Sequence, residues 1–569
     1  MNIQKFSSFL ALLFIVASCS TQQQPGTLVL RNGNIVTVDA NKPQAQAVAV
    51  RGDSIVAVGS NEEIQPFIGS STVVIDLEGK TVVPGFVEGH GHFTGIGTMK
   101  MNLQLMSTKS WDEIVSMVGE AVKKAKPGDW IIGRGWHQEK WDKTPTPNVE
   151  GFPTHASLDK VSPNNPVILR HASGHAGFAN GKALSLAGIT RATPNPAGGE
   201  ILKDRQGNPT GLLRETAHGL VGRALNEAMS KRSPEERDAV ARKEVDLAML
   251  ECLSKGITSF QDAGSSFTTI DLFKTVVDEG KLNIRLWVMV REGVEALAAN
   301  LAKYKMVGYG SNHLTVRAIK RTIDGALGSR GAWLLEPYSD LPGNTGLNTS
   351  LLEEAQQISD LAMQHGYQFC VHAIGDRANR EILNIYEETF KKNSDKSDLR
   401  WRVEHAQHLH PTDIPRFGQL GVIASMQGIH CTSDAPYVPA RLGTQRAEEG
   451  AYVWQKLMKS GATIVNGTDA PVEDVNPILS FYATVSRKTK DGSVFYPDQR
   501  MSREEALKSY TLNAAYGAFE ERIKGSLTLG KLADIVILSK DIMTVPEDEI
   551  PSTEVLTTIV GGQIVYQKQ

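Results

Sequence analysis

Between about residues 81 and 520, short apolar runs alternate with longer stretches that have the periodicity of amphipathic helices. This alternation is typical of parallel α/β architecture, in which each strand is followed by a helix. Eight apolar runs are candidate strands, and they cover residues 81–87, 257–261, 284–290, 314–323, 368–371, 402–404, 422–426 and 463–465. The pattern therefore predicts an α/β fold with a (β/α)8, TIM-like barrel at its centre.

The two ends of the chain have a different pattern. Residues 28–80 and 521–569 contain short β runs separated by turn residues, which predicts antiparallel strands. We expect both ends to build one small β domain beside a barrel that covers residues 81–520. The first two candidate barrel strands are about 170 residues apart, far more than a βα unit needs. We therefore expect an insertion over residues 100–230 or so.

The chain begins with a targeting segment. The apolar run from Phe9 to Ala17 is too short to span a bilayer and leads into Ser18-Cys19. This ending resembles the lipobox of bacterial lipoproteins, so residues 1–18 are the predicted signal peptide and residues 19–27 a polar tether. An ordinary signal peptide is the alternative. We expect a lipid-anchored protein of the bacterial cell envelope, facing the periplasm or on the outer membrane.

Composition excludes some classes of partner. The chain has 569 residues, with 60 Lys+Arg against 63 Asp+Glu, so it has no excess of basic residues for nucleic acid. Its four cysteines are scattered without a CxxC pair, which argues against a disulfide framework or a thiolate zinc site. The expected partner is a small-molecule substrate, and homo-oligomerisation stays open.

The candidate chemistry lies at the ends of the predicted strands. His90 and His92 form a His-x-His pair at the end of the first strand. Residues i and i+2 of an extended chain point to the same side, so two imidazoles there can bind one metal ion. Polar residues also stand within or directly after later strands: Lys320, His372, His405 and Asp469. Because strand ends converge at one face of a barrel, we expect all six to meet there.

Together these motifs resemble the amidohydrolase superfamily, specifically its amidohydrolase-3 subgroup, typified by YtcJ-like proteins and N-substituted formamide deformylase. The resemblance covers almost the whole chain after the targeting segment. It is carried by residues 84–92, 170–175, 324–329, 372–376, 403–405 and 467–471. Many relatives have Asp where this chain has Glu88, and Ser, Thr or Ala where it has Gly89. Neither departure replaces an expected ligand.

The resemblance implies a metal centre. His90 and His92 would bind one ion, His372 and His405 would bind a second, and Lys320 would be carbamylated and bridge the two. Carbamylation replaces an ammonium that would repel both cations with a carboxylate-like ligand. Imidazole-rich ligation suits zinc, so two zinc ions are expected, with a single ion as the alternative.

The resemblance also implies a mechanism. Asp469 matches an aspartate that binds metal and shuttles a proton. A metal lowers the pKa of bound water from about 15.7 toward 7, and the resulting metal-bound hydroxide would attack a carbonyl carbon while Asp469 moves the proton to the leaving nitrogen. The implied activity is that of an amidohydrolase on an amide or N-substituted formamide. The alternatives are an ester or cyclic imide hydrolase on the same site, or a non-catalytic ligand-binding lipoprotein.

Other residues are implied to contact the substrate. By position in the family they are His171, His175, His430 and Trp136. The tryptophans of the predicted insertion favour a bulky substituent on the substrate, although the sequence does not identify the substrate itself.

Overall fold

The computed structural model describes residues 24–138, 141–171, 176–196 and 199–569. Its centre is a barrel of eight parallel strands, each paired with the next along the chain. Their bounds are β1 Phe86–Gly91, β2 Ile257–Ser265, β3 Arg285–Val290, β4 Leu314–Thr322, β5 Gln368–Ala373, β6 Arg402–His405, β7 Ile423–Gln427 and β8 Ile464–Gly467. This confirms the predicted α/β, TIM-like barrel.

Helices lie outside the barrel and connect its strands. One of them precedes β2 and begins at a capping box, in which Ser233 and Glu236 satisfy each other's backbone amides. The main helices around the barrel are Pro234–Ser254, Phe267–Asp278, Val294–Tyr304, Leu352–His365, Asp376–Lys392, Ile414–Leu420, Trp454–Lys459, Pro477–Ser486 and Arg503–Ser509. Their apolar faces and the outer faces of the strands form the largest buried apolar cluster of the described residues.

The first predicted strand, residues 81–87, is in fact two strands in two sheets. Thr81–Pro84 pairs antiparallel with Ile535–Leu538, whereas β1 begins at Phe86. The chain changes sheets at Gly85, where an added Cβ would lie 2.1 Å from Thr258 Oγ1. Only glycine allows this close approach. The residues on both sides of Gly85 are apolar, so the sequence pattern shows no break where the chain leaves one sheet for the other.

Strands from both ends of the chain share one sheet. Its order is Gln563–Gln567, Val555–Val560, Ile535–Leu538, Thr81–Pro84, Asn34–Val36 and Gln44–Ala45. A four-stranded sheet next to it has the order Ser54–Gly59, Ala47–Arg51, Leu28–Arg31 and Val73–Asp76. Leu30, Val82 and Ile535 belong to one buried apolar cluster, so the two ends of the chain are packed on each other.

The segment between β1 and β2 has a sheet and cores of its own. The order of this mixed sheet is Gly199–Lys203, Pro209–Glu215, Ala176–Ala179, Val167–His171, Ile131–Trp136 and Leu103–Gln104. Helices Trp111–Val122, Ala156–Val161 and Gly181–Leu186 lie in the same segment. Two apolar clusters, one around Trp111 and one around Leu184, fill it.

The predicted signal peptide, Cys19 and His175 lie outside the described residues. Within the described ranges, no helix combines the length and the apolar character needed to cross a membrane.

Candidate metal centre

The ends of β1 and β8 bring two histidines and an aspartate together. Asp469 Oδ1 lies 3.6 Å from His90 Nε2 and 3.3 Å from His92 Nε2. One ligand atom from each residue lies within 4.8 Å of the other two. Asp469 Oδ1 is buried and has no hydrogen-bond partner among the described residues. An unpaired buried oxygen is costly unless a ligand satisfies it, so these three residues fit a cation site.

Two further histidines extend the cluster. The ring of His405 lies 4.7 Å from that of His90 and 4.4 Å from that of His372, measured between centroids. His405 Nδ1 is 2.8 Å from Gln427 Oε1, which leaves Nε2 as the nitrogen for a ligand. His372 Nε2 is buried without a hydrogen-bond partner in the described part of the chain, although Asp324 Oδ1 lies 3.5 Å away. Both rings therefore offer a nitrogen to a metal.

Lys320 completes the predicted set. Its Nζ lies 3.5 Å from His90 Nε2, inside the barrel. The structure thus brings together all six residues that the sequence predicts as metal ligands: His90, His92, Lys320, His372, His405 and Asp469.

For three histidines of this cluster, His90, His372 and His405, burial favours the neutral form that metal ligation requires. Burial, together with the Lys320 ammonium, lowers the pKa of His90 to about 4. Burial also holds the pKa of His372 and of His405 well below the usual value. It lowers the pKa of Lys320 to about 8 for the same reason, the loss of hydration.

His430 differs from the other histidines. Its Nε2 lies 3.4 Å from Asp469 Oδ2 and its Nδ1 lies 3.7 Å from Glu473 Oε1. Burial lowers the pKa of His430, but its contacts with the two carboxylates outweigh burial and raise it to about 10. His405, His430 and Asp469 also have the spacing of a metal site. The contact between His430 Nε2 and Asp469 Oδ2 also fits a hydrogen bond donated to that oxygen, and the substrate contact predicted for His430 stays a prediction.

Asp469 itself is an ionised, strained residue. Burial raises the pKa of its carboxyl group, but contacts with His430 and His92 outweigh burial and hold the pKa well below its usual value. Asp469 has φ +57° and His405 has φ +77°, in the left-handed region that L-residues rarely adopt. Each such residue costs about 1–3 kcal/mol and persists only where the surrounding structure fixes it, typically at functional sites.

Side chains outside the predicted set contact the predicted ligands or the backbone beside them. Glu404 forms a short hydrogen bond with His90 Nδ1. Glu88 accepts hydrogen bonds from the His90 amide at 3.0 Å and from the Thr468 amide at 2.7 Å. Asp324 accepts one from the Gly375 amide at 2.8 Å. Glu88 and Glu404 are charged residues inside apolar strands, the same signal that identifies Lys320, so this signal could have found them.

The insertion holds the other predicted contact residues. Trp136 is fully buried there, and its Nε1 donates a hydrogen bond to the Leu169 carbonyl at 2.9 Å. Trp136 packs in the core of the insertion, and the contact with substrate predicted for it stays a prediction. His171 Nε2 is 3.1 Å from Gln138 Oε1, and its ring lies 4.5 Å from that of His137. The substrate contacts predicted for His171 and for His175 stay predictions.

The sequence model of the amidohydrolase family matches residues 73–566. The chain belongs to the amidohydrolase family. Among its relatives, Protein LONG AFTER FAR-RED 3 of Arabidopsis thaliana is 37% identical over 552 residues, which are 95% of this chain and 91% of that protein. N-substituted formamide deformylase of Arthrobacter pascens is 27% identical over 548 residues, 95% of this chain and 98% of that protein.

A solved structure also resembles this amidohydrolase. The crystal structure of an uncharacterized metal-dependent hydrolase from Pyrococcus horikoshii aligns with a TM-score of 0.73 and 27% identity, covering 92% of this chain and 99% of that one. With the family, this likeness and the clustered histidines and aspartate, the protein is a metal-dependent hydrolase whose site suits a divalent ion.

Proposed function

We propose that this amidohydrolase cleaves the C–N bond of a small amide of the N-substituted formamide type, with Asp469 as the proton shuttle. The observation that carries the proposal is the Asp469 carboxylate. One of its oxygens is buried and unpartnered among the described residues, beside His90 and His92, and the other lies 3.4 Å from His430 Nε2. The likeness to N-substituted formamide deformylase along 95% of the chain supports the choice of bond.

The proposed metal ligands are those predicted from the sequence. His90, His92 and Asp469 would hold one divalent ion, most suitably zinc, and His372 and His405 would hold a second. A single ion is the alternative. A bound divalent ion supplies a water molecule of lowered pKa and polarises the carbonyl of the substrate.

We also propose that Lys320 is carbamylated, which would give the site a carboxylate-like ligand in place of an ammonium group. Only the neutral amine adds to carbon dioxide, forming an N–C bond and releasing a proton. The burial that lowers the pKa of Lys320 to about 8 makes the neutral form more available than in an exposed lysine.

The protein's own groups would move the proton. The Asp469 carboxylate accepts a proton from the attacking water as the water oxygen bonds to the carbonyl carbon. Asp469 then returns this proton to the nitrogen as the C–N bond breaks, because an amide nitrogen leaves poorly without it. His430 donates to Asp469 Oδ2 and so keeps Oδ1 turned towards His90 and His92. The alkoxide of an ester leaves more easily than an amide nitrogen and depends less on protonation by Asp469. A positioned proton donor therefore favours cleavage of a C–N bond.

The experiment is a substrate panel on zinc-loaded and chelator-treated protein. N-substituted formamides with benzyl or alkyl groups are compared with acetamides, esters and a cyclic imide that carry the same groups. We expect hydrolysis of formamides or amides that is lost on chelation and returns with zinc. Hydrolysis of the esters or the imide alone would refute the proposed bond.

Location and assembly complete the proposal. The pattern before Cys19 supports a lipid anchor in the bacterial envelope, and the net charge of −3 gives no reason to expect nucleic acid as a partner. A β domain built from both chain ends and an inserted unit between β1 and β2 are proposed in the same way, and homo-oligomerisation stays open.

A further inference from the structure

The interior of the barrel holds a buried ion pair next to the metal centre. The interiors of such barrels are usually filled by branched apolar side chains. Here Arg402 and Glu404, both on β6, are fully buried. The two side chains form a bidentate pair, with Arg402 Nε 2.7 Å from Glu404 Oε1 and Arg402 Nη2 3.0 Å from Glu404 Oε2. Because two buried charges lose their hydration, an apolar pair of similar volume would often be at least as stable.

Three other strands of the barrel hold Arg402 in place. It donates to the Gly89 carbonyl on β1 at 2.7 Å and to Ser425 Oγ on β7 at 2.6 Å. It also donates to Gln261 Oε1 on β2. Bonds to three other strands fix the plane of the guanidinium group, so Arg402 cannot turn away from Glu404.

Glu404 in turn contacts the back of a metal ligand. Its Oε2 forms a short hydrogen bond with His90 Nδ1. The opposite nitrogen, His90 Nε2, is the one that faces Asp469 Oδ1 and Lys320 Nζ. His405, by contrast, has the neutral amide of Gln427 at its Nδ1. A carboxylate behind a ligating imidazole fixes its tautomer and ring orientation and makes the other nitrogen more basic.

We infer that Arg402 and Glu404 are positioning residues of the metal centre. Arg402 holds Glu404, and Glu404 holds His90 in the tautomer and orientation that present Nε2 to the metal. The inference rests on the proposed ligand role of His90. On this inference the buried ion pair has a role besides barrel stability, because it fixes the tautomer and orientation of His90 before the metal binds.

The test is metal affinity, measured without substrate. Glu404→Gln keeps the size of the side chain and an acceptor for His90 but removes the charge and one acceptor for Arg402. We expect the apparent affinity for Zn²⁺, measured by chelator competition, to fall about 10–100-fold. The visible spectrum of the Co²⁺-loaded variant should also differ from that of the wild type. Arg402→Lys keeps the charge but lacks the planar fork, so its affinity should fall by a smaller factor.

The matched control is another buried ion pair. Asp534→Asn weakens a bidentate contact with Arg285 at the opposite end of the barrel. This variant should lose thermal stability while it keeps wild-type zinc affinity and an unchanged cobalt spectrum.

Two results would overturn the inference. One is a Glu404→Gln variant with wild-type zinc affinity and cobalt spectrum. The other is an equal loss of affinity in the control, which would make the effect one of general stability. If Glu404→Gln does not fold, Arg402→Lys decides on the same readouts. Wild-type zinc affinity in His90→Ala would refute the ligand role beneath the inference, and none of these outcomes depends on which bond is cleaved.

Discussion

At the amino-terminal end of the barrel, Arg285 begins β3 and donates two hydrogen bonds to Asp534, at 2.8 and 2.9 Å. The Gly561 amide adds a third bond to the same carboxylate. At the carboxyl-terminal end, Asp469 Oδ1 and His372 Nε2 are buried with no hydrogen-bond partner among the described residues. At the amino-terminal end, the buried charges of Arg285 and Asp534 are paired within the protein. At the carboxyl-terminal end, buried polar atoms have no such partner, so a ligand can bind to them.

The backbone differs between the two ends as well. Arg285 lies in a regular strand, whereas His405 and Asp469 have positive φ at the other end. Strained residues stay in place only if neighbouring contacts fix them. For Asp469 these contacts include its own amide, which donates to the His90 carbonyl at 2.7 Å. Stability and function are therefore concentrated at opposite ends of one barrel, and substitutions at the two ends should have separable effects.

The largest expected effect is on turnover, at the carboxyl-terminal end. Asp469→Asn keeps the size of the side chain and one ligating oxygen but cannot carry a proton. We expect turnover to fall by about 10²–10⁴-fold, the scale for losing a positioned acid–base group, while the fold and at least one metal ion remain. Turnover, metal content and circular dichroism are measured on the same preparation. Turnover within a few-fold of the wild type, in a folded and metal-loaded variant, would exclude Asp469 as the shuttle.

The opposite end should lose stability without losing activity. Asp534→Asn leaves the buried Arg285 guanidinium without its charged partner, which should lower the free energy of unfolding by roughly 3–5 kcal/mol. Turnover should stay within about twofold of the wild type, because the pair lies away from the metal centre. The urea midpoint and the turnover of the variant are each compared with those of the wild type. A large loss of turnover at unchanged stability would contradict the assignment of this pair to stability.

The same pair predicts how stability depends on pH. Burial raises the pKa of the Asp534 carboxyl group, but the Arg285 guanidinium outweighs burial and holds the pKa below its ordinary value of 3.8. A group with a lowered pKa in the folded state stabilises the protein above its unfolded pKa, and this contribution is lost as pH falls through the folded pKa. Asp534→Asn should therefore show a weaker acid destabilisation below about pH 4 than the wild type. Parallel curves for the two proteins would contradict this assignment.

The barrel could be predicted because its apolar runs are short and bounded by turn residues, and each of the eight predicted runs overlaps a strand of the structure. His372 and Asp469 stood out because they are polar residues at the ends of apolar strands. The corner at Gly85 could not be seen, because the residues on both sides of it are apolar and belong to two different sheets.

The contacts of the supporting residues could not be predicted in the same way. Glu404 acts on His90, which is 314 positions away in the sequence. Such a contact depends on the register of strands around the barrel, and a single sequence does not specify that register. The place of Trp136 in the core of the insertion could not be predicted for a related reason, because that core depends on how its own sheet packs.

The smallest expected effect is at the seam between β1 and β8, where a buried carboxylate holds the two strands together. The ladder of paired strands begins at β1 and ends at β8. Glu88 bridges the two strands, because it accepts from the His90 amide on one side and from the Thr468 amide on the other. Thr468 Oγ1 adds a third hydrogen bond to this carboxylate, at 2.8 Å.

Thr468→Val keeps the size and branching of the side chain but removes that third hydrogen bond. Losing one buried partner of Glu88 should cost about 1–3 kcal/mol of stability. Turnover should fall less than about tenfold, because the adjacent Asp469 stays fixed by its own amide bond to the His90 carbonyl. Thr468→Ser restores the hydroxyl and should recover most of the lost stability. If turnover instead falls about a hundredfold in Thr468→Val and recovers in Thr468→Ser, the hydroxyl bond, and not the backbone, holds the shuttle in place. Equal losses in both variants would show that the hydroxyl bond alone does not account for the effect, because Val keeps the methyl group of Thr and Ser keeps its hydroxyl.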